Sequence, residues 1–425
     1  MRVLVAGASG FIGRHLAHAL QNAGHEVVAL VRREDASVKL LAARVERCDL
    51  ESATVTSLIP RLEGVECVVN LAGVFADGAG QSTRVNESGA EALFEACEKA
   101  RVRRVIHFSA LGADDQRTPF ARTKFAGERA LMARDVDWII LRPSIVLGPS
   151  SSGTGGLIRG LAAQPLLPME EAGHIDAVRL DDVVETVLRL VDAQTPGHRV
   201  LDLVGPERLT FAEIVARYRE WLGWPRARLV RAPRWAMGLA YFFGDIAGAL
   251  GWRSPIRSSA RTELSRGAIG DGALWNATTG VKARSLNEML ADAPATLEDR
   301  RFAQFYFLKP VIFAITGSFW IGTGIISLTI GYDIGVALLR EGGMGALSGP
   351  SVIAGGWADI LIGLGVIFRP TARLALWGAI LISLFYAVAG TIVLPRLWED
   401  PIGPMLKIWP IVVLNFVALF MVRDR

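Results

Sequence analysis

Three glycines at a spacing of three, Gly7, Gly10 and Gly13, stand in the run Gly7-Ala8-Ser9-Gly10-Phe11-Ile12-Gly13. The run follows an apolar stretch at 2–6 and opens a stretch of helical spacing at 11–23. In a strand–turn–helix context such glycines let backbone approach a pyrophosphate closely. The free N–H groups and positive end of the helix then meet the phosphates. Gly7, Ser9, Gly10, Phe11, Ile12 and Gly13 are therefore candidate dinucleotide contacts. A second apolar run at 26–31 ends where an acid would bind ribose hydroxyls, but Arg32 and Arg33 stand there, with Glu34 and Asp35 just after. A guanidinium grips a 2′-phosphate through paired hydrogen bonds, and Arg14 adds charge beside the third glycine. The expected cofactor is NADP(H), with NAD(H) as the alternative.

Elements of alternating type position these residues. Short runs rich in Val, Ile and Leu at 2–6, 26–31, 44–48, 66–71, 103–109 and 137–142 read as strands. Helical spacing lies between them, as at 87–100 and 119–134. This alternation predicts an α/β Rossmann fold, a doubly wound parallel sheet with both faces covered. Beyond Pro143 the pattern loosens into a Ser/Gly loop at 150–156, a helix at 180–193, a strand at 199–204 and a helix at 210–222. That last helix opens on Thr210 and Glu213, a capping-box pair, and a short helix opens on Ser285 and Glu288. An apolar stretch at 233–250 with Trp235, Phe242 and Phe243 reads as an interfacial helix or as a lid over a substrate cleft. The expected organisation is a dinucleotide-binding domain over 1–292 (core about 1–150, substrate-side subdomain about 151–292), a linker at 293–309, and an all-α four-helix transmembrane domain at 310–425.

Composition supports that division. The 425 residues are 51% hydrophobic and 21% charged, too apolar for an average soluble chain and too charged for an all-membrane one, and charges thin out after 309. Four apolar segments, 311–332, 351–368, 372–394 and 407–422, approach the ~20 residues needed to cross a bilayer, with Pro410 expected in the first turn of the fourth. Arg300, Arg301 and Lys309 precede the first segment, Arg369 and Arg373 separate the second from the third, and Arg423 and Arg425 follow the fourth; the other two loops are weakly charged. This asymmetry and an even number of spans predict a multi-pass protein with the dinucleotide-binding domain and both termini cytoplasmic. Asp359, mid-span, is expected to face the bundle interior, either bonded to Asn415 or Tyr386 or handling protons or a quinone. Glycines at 317, 322, 324, 355, 356 and 363 suit close helix packing, and four short spans argue against a transporter. A net charge of +4 without a basic-aromatic run excludes nucleic acid as a partner and suits an anionic bilayer surface. Cys48, Cys67 and Cys97 match no zinc spacing and the six histidines are scattered, so reduced thiols and no metal site are expected. Met1 leads directly into an apolar strand, without the pattern of a signal peptide.

The glycine spacing, Asp49-Leu50, Asn70-Leu71-Ala72-Gly73, His107-Phe108-Ser109-Ala110, Leu141-Arg142-Pro143-Ser144 and the run 178–183 together resemble the short-chain dehydrogenases/reductases. The likeness is to their extended or atypical branch, close to the NADH–ubiquinone oxidoreductase 39 kDa-subunit-like group, and covers residues 1 to about 292. The four-span segment is similar to DoxX-like membrane domains. The resemblance implies that Asp49 and Leu50 flank the adenine, that Leu71, Ala72, Gly73 and Phe108 line the cofactor, and that Pro143 and Ser144 reach the nicotinamide region. It also implies that Ser109 polarises a substrate oxygen and that Lys124 holds the nicotinamide ribose. The family's proton-donating tyrosine belongs four residues before the lysine, where this chain has Phe120. Thr118, Thr123, His107, Asp114 and Asp115 are near in sequence but none has the required spacing, and His174, beyond the Ser/Gly loop, could reach a cleft, although a lone histidine is more often structural or on the surface. The expected function is membrane-anchored, NADPH-dependent reduction of a hydrophobic carbonyl or a quinone. The alternative is a non-catalytic nucleotide-binding scaffold or sensor for a membrane protein complex.

Overall fold

A computed structural model describes residues 1–33, 36–40, 42–75, 80–148, 153–169, 173–192, 194–252, 254–401 and 403–422. Two compact units make up the chain, Met1–Asp245 with Ser254–Ala303, and Ile246–Arg253 with Gln304–Arg425.

In the first unit, β1 (Arg2–Ala6) leads to α1 (Phe11–Asn22), β2 (Glu26–Val31), β3 (Arg44–Arg47) and β4 (Cys67–Asn70). There follow α2 (Ala90–Lys99), β5 (Arg104–Phe108), α3 (Pro119–Met132), β6 (Asp137–Pro143), α4 (Leu180–Val191), β7 (Arg199–Leu203) and α5 (Phe211–Trp221). Then come α6 (Arg234–Ala249) and α7 (Ser258–Arg266). The seven strands form one sheet in the order β7-β6-β5-β4-β1-β2-β3, every pair parallel. The order of strand addition reverses beside β1, between β4 and β2, and such a switch point opens a ligand crevice at the carboxyl ends of the strands.

The period of two along a strand explains how one short run supports both layers. Val3 and Val5 pack with Leu16 and Leu20 of α1 and with Val187 and Leu190 of α4. Leu4 and Ala6 face the other way, toward Leu93 and Phe94 of α2 and Leu131 of α3. Two buried charges are fully engaged. Arg104 of β5 binds Asp137 at 2.7 Å and donates to the carbonyls of Leu190 and Asp192 at 2.7 and 2.9 Å. Asp182 of α4 accepts from the backbone N–H and the guanidinium of Arg284, at 2.9 and 2.7 Å. The capping boxes at Thr210 and Ser285 both form.

Among the described residues, four helices are long and apolar enough to cross a membrane, and they fall mainly in the second unit. They are α8 (Leu297–Leu328), α9 (Ser348–Ile367, preceded by a 3-10 turn from Gly345), α10 (Arg369–Val393) and α11 (Pro404–Val422). Their bounds differ from the sequence pattern in two places. Residues 297–309, expected within a linker, are helical, and α8 ends at Leu328 before a separate short helix, Tyr332–Glu341. Pro410 lies inside α11 rather than in its first turn, because the helix starts on Pro404, a residue suited to a first turn. Helices α8 and α9 cross at their glycines. A Cβ on Gly324 would stand 2.4 Å from the Gly356 carbonyl oxygen, and one on Gly363 would stand 2.7 Å from that of Gly317. Of the two partners expected for Asp359, Tyr386 is the one found, its hydroxyl 3.2 Å from the carboxylate. Asn415 instead faces the Trp320 indole N–H, at 3.5 Å. Arg423 and Arg425 lie outside the described residues.

Candidate functional site

The glycine turn is shaped by contacts that exclude side chains. Gly7 has φ +84°, a left-handed conformation that glycine adopts without steric cost. A Cβ there would come within 3.0 Å of the Ala72 nitrogen, on the backbone leaving β4. A Cβ on Gly13 would meet the Gly7 carbonyl oxygen at 2.2 Å. The Gly10 N–H closes the turn onto that same oxygen at 2.9 Å. Gly10 caps α1 without any side-chain hydrogen bond, and the first turn of the helix carries no acid. The leading amides of α1, at Phe11, Ile12 and Gly13, therefore form an anion-binding end. Ser9 and Arg14 border this turn and are half-buried.

At the ribose side, Arg32 and Arg33 follow β2 and are exposed. Glu34 and Asp35, the neighbouring acids, lie outside the described residues, as do 149–152 of the Ser/Gly loop. Asp49 turns its carboxylate onto the Glu51 N–H at 3.1 Å, and Leu50 is buried beside it. Hydrogen bonds from Gln81 and Arg84, at 2.9 and 2.7 Å, hold the Glu51 carboxyl below its usual range.

The centre of the crevice is built on β4, β5 and α3. Asn70 accepts from the Ala72 N–H at 3.1 Å, which orients its amide so that the nitrogen faces His107 Nδ1 at 3.3 Å. His107 Nδ1 is then an acceptor and Nε2 carries the proton. Burial, reinforced by the charge of Lys124, pushes the imidazole pKa well below its ordinary value. Leu71, Ala72 and Gly73 continue from Asn70. Asn86, which sequence reading missed, clamps this segment. Its amide accepts from the Val74 N–H at 2.9 Å and donates to the Val74 carbonyl at 3.0 Å and to Thr123 at 3.1 Å. It sits in a π-helical turn, Thr83–Gly89, a local insertion with no signature in hydrophobic spacing.

Lys124 and Ser109 meet at the end of β5. The buried Lys124 Nζ donates to the Phe108 carbonyl at 2.9 Å. It lies 2.8 Å from where a Cβ on Gly73 would stand, so that glycine keeps the amine open to the crevice. Burial lowers its pKa to about 8, opposed by the charge of Glu128. Glu128, itself buried, is bound by Arg142 through two contacts of 2.8 and 2.6 Å. Ser109 is held by its backbone N–H on the Leu141 carbonyl at 2.8 Å, while its hydroxyl is buried and has no partner among the described residues. Phe120 stands one helical turn before Lys124, and its ring packs on Phe75 with centroids 4.8 Å apart.

Most of the candidate substitutes for a phenol are engaged elsewhere. Asp114 binds Arg142 at 3.0 Å, Asp115 binds Arg266 at 3.1 Å, and Thr123 bonds Asn86 and the Phe120 carbonyl. His174 is exposed on a two-residue strand paired with Thr210. Thr118 caps α3, accepting from the Ala121 N–H at 3.0 Å, and donates to Glu263 of α7. Arg266 of α7 binds the Leu111 and Gly112 carbonyls at 2.9 and 2.7 Å, fastening the loop that follows Ser109. Ser144 is likewise committed, its hydroxyl donating to the Ala268 carbonyl at 3.2 Å, and the Pro143 carbonyl accepts from Leu111. Thr118→Val is expected to remove the α3 cap, at a cost of ~1 kcal/mol. A melting point lower by about 2–4 °C in a calorimetric scan is the expected readout. An unchanged melting point would show that the cap and the α7 contact contribute nothing to stability.

A surface cleft of about 870 Å³ lies among Asp176, Arg208, Asn276 and Lys282, and shares no residue with the glycine turn or with Ser109 and Lys124.

Comparison with known proteins agrees with this geometry. Residues 7–168 match an NAD(P)H-binding family and residues 317–416 a DoxX-like family. The chain therefore combines an NAD(P)-binding Rossmann domain of short-chain-dehydrogenase type with a C-terminal DoxX-like domain. It is 29% identical over 233 residues to a ceramide reductase of Caulobacter vibrioides, covering 54% of this chain and 73% of that protein. It is 29% identical over 328 residues to sterol demethylase protein B of Methylococcus capsulatus, covering 71% of this chain and 99% of that protein. Among solved structures, MoeE5 in complex with UDP-glucose and NAD aligns with a TM-score of 0.54 and 25% identity, over 68% of this chain and 96% of that one. The DoxX-like domain and its four apolar helices suggest membrane association.

Proposed function

We propose that this protein is a membrane-anchored, NADPH-dependent reductase of a hydrophobic carbonyl compound or a quinone. The observation that carries the reading is the buried hydroxyl of Ser109, which has no partner among the described residues, one residue beyond the carbonyl that holds Lys124. An orphaned buried hydroxyl costs free energy unless a ligand completes it, and a substrate oxygen would do so here. The residues fit a nicotinamide dinucleotide. The amides of Phe11, Ile12 and Gly13 would take the pyrophosphate, Asp49 and Leu50 would flank the adenine, and Arg32, Arg33 and Arg14 would take a 2′-phosphate. Leu71, Ala72, Gly73, Phe108, Pro143 and Ser144 would line the remainder, with Lys124 on the nicotinamide ribose. When bound, the dinucleotide supplies hydride. Ser109 would hold the acceptor oxygen, and the packed Phe75–Phe120 pair would give an apolar side to the crevice. Phe120 gives no proton, which favours an acceptor whose reduced oxygen tolerates negative charge, as a quinone's does.

The proposed arrangement has the dinucleotide-binding domain and both termini cytoplasmic, supported by Arg369 and Arg373 between the second and third candidate spans. In proteoliposomes of the full chain, loss of NADPH absorbance is expected to accelerate on adding a quinone or a long-chain ketone. No acceleration with either would overturn the reductase reading. The replacement of the tyrosine by Phe120 favours a second reading, a nucleotide-bound scaffold for a membrane complex. Tight dinucleotide retention without turnover, together with recovery of a stoichiometric membrane partner, would support it.

The charge of Lys124 gives the binding a pH dependence. A lysine with its pKa lowered to about 8 is an ammonium below that pH and an amine above it. A charge-assisted bond to the ribose would then be present at pH 7 and replaced by a neutral one near pH 9.5. The difference is ~1 kcal/mol, or about fivefold in Kd. Calorimetric titration at the two pH values is expected to show weaker binding at the higher one, and the Lys124→Arg variant is expected to lose that dependence.

A further inference from the structure

Helix α6 presents to its surroundings a face that water does not suit. Trp235, Leu239, Phe242 and Ile246 recur at intervals of four, three and four residues, with Phe243 beside them, and all five are exposed. Trp235 is 71% exposed and Phe243 62%, so these rings are outside the core altogether. The opposite stripe, Met237, Tyr241, Gly244 and Gly248, is the one turned inward. A solvent-facing helix buries its apolar stripe, and this one does not. Its charges are Arg234 at the start and Asp245, which is taken up by Arg257 at 3.4 Å and by the Ser258 N–H at 3.3 Å. The preceding strand adds exposed Leu229 and Val230 after exposed Arg228.

What covers the stripe is indicated by where the chain goes next. Leu250 and Trp252 belong to the second unit and are fixed to the turn between α9 and α10. The Arg369 N–H donates to the Leu250 carbonyl at 3.1 Å, and the Trp252 indole donates to the Ile367 carbonyl at 2.7 Å. The Trp252 ring also lies 4.5 Å from that of Phe313. A turn joining two spans lies at a bilayer boundary, and this one carries Arg369 and the exposed Arg373. A helix ending there, apolar on its outer face and flanked by arginines, has the composition of an interfacial helix. We propose that α6 lies in the headgroup layer of an anionic bilayer, with the Trp235–Leu239–Phe242–Phe243–Ile246 face in lipid. The inference rests on exposure and contacts rather than turnover, so it stands or falls apart from the reductase reading.

The test uses the full chain with Cys48→Ser, reconstituted into vesicles of phosphatidylcholine and phosphatidylglycerol. The native Cys67 and Cys97 are buried. Nitroxide labels are placed singly through Leu239→Cys, Phe243→Cys and, as a control at an exposed position of α2, Lys99→Cys. Relative collision rates with oxygen and a water-soluble nickel chelate report depth. The labels at 239 and 243 are expected about 5–10 Å below the phosphates, and the label at 99 in water. Water-like collision rates at 239 and 243 would overturn the proposal, and so would dipolar broadening showing that the stripe pairs two copies of the chain. Each position is read only if its melting transition matches the parent's. If one labelled variant fails that check the other remains decisive, and Trp235→Cys on the same stripe replaces either.

Discussion

Gly13→Ala is expected to weaken nicotinamide dinucleotide binding by about 150-fold while leaving the sheet folded. The added methyl would stand 2.2 Å from the Gly7 carbonyl oxygen and 2.8 Å from the Ala8 Cα. Both are backbone atoms, so no side chain can swing away. Either the first turn of α1 lifts or the Gly7–Gly10 turn opens, and each movement displaces the amides at Phe11, Ile12 and Gly13. Overpacking of this kind costs about 1–3 kcal/mol, and a rigid backbone neighbour places this case at the upper end, which corresponds to about 150-fold in Kd. Calorimetry of the full chain with NADPH and with NADH measures it, and a circular-dichroism melt confirms the fold. Binding within threefold of the parent would remove the glycine turn as the phosphate cradle.

That turn was legible because it is local. Three glycines, a preceding strand and a following helix lie within about 20 residues, and the backbone conformation each requires follows from its own type. The parallel sheet was legible for a similar reason, since strands covered on both faces need apolar residues at every position. The clamps around the crevice were not. Asn86 acts through a π-helical turn that shifts it inward without changing any hydrophobic period. Glu263 and Arg266 reach Thr118 and the Leu111–Gly112 carbonyls across about 150 residues of sequence, and polar pairing at that range leaves no periodic trace. In the bundle, Asp359 had two plausible partners by composition, and only the rotation of α9 against α10 selected Tyr386. The face of α6 was ambiguous for a different reason. Its sequence is apolar on both sides, so the pattern could not say which stripe would be buried.

Phe120→Tyr is expected to divide the acceptors. The ring packs on Phe75 one helical turn before Lys124, so a phenol at the same position is expected to reach the crevice that holds the buried Lys124 ammonium and the Ser109 hydroxyl, which has no partner among the described residues. An ammonium nearby favours the phenolate and lets the pair exchange a proton with a substrate oxygen. General acid catalysis of this type contributes about 10²–10⁴-fold. With a ketone, whose alkoxide is a strong base, the variant should gain on that scale in kcat/KM. With a quinone, whose reduced oxygen spreads its charge over the ring, protonation matters less and the change should stay below about tenfold, short of that range. Stopped-flow NADPH oxidation with both acceptors in proteoliposomes separates the cases. A large gain with the quinone would mean that proton delivery limits that reaction as well, and none with the ketone despite unchanged dinucleotide affinity would mean that proton delivery at this position does not limit ketone reduction. The absence of the phenol in the natural chain would then need a cause other than the choice of acceptor.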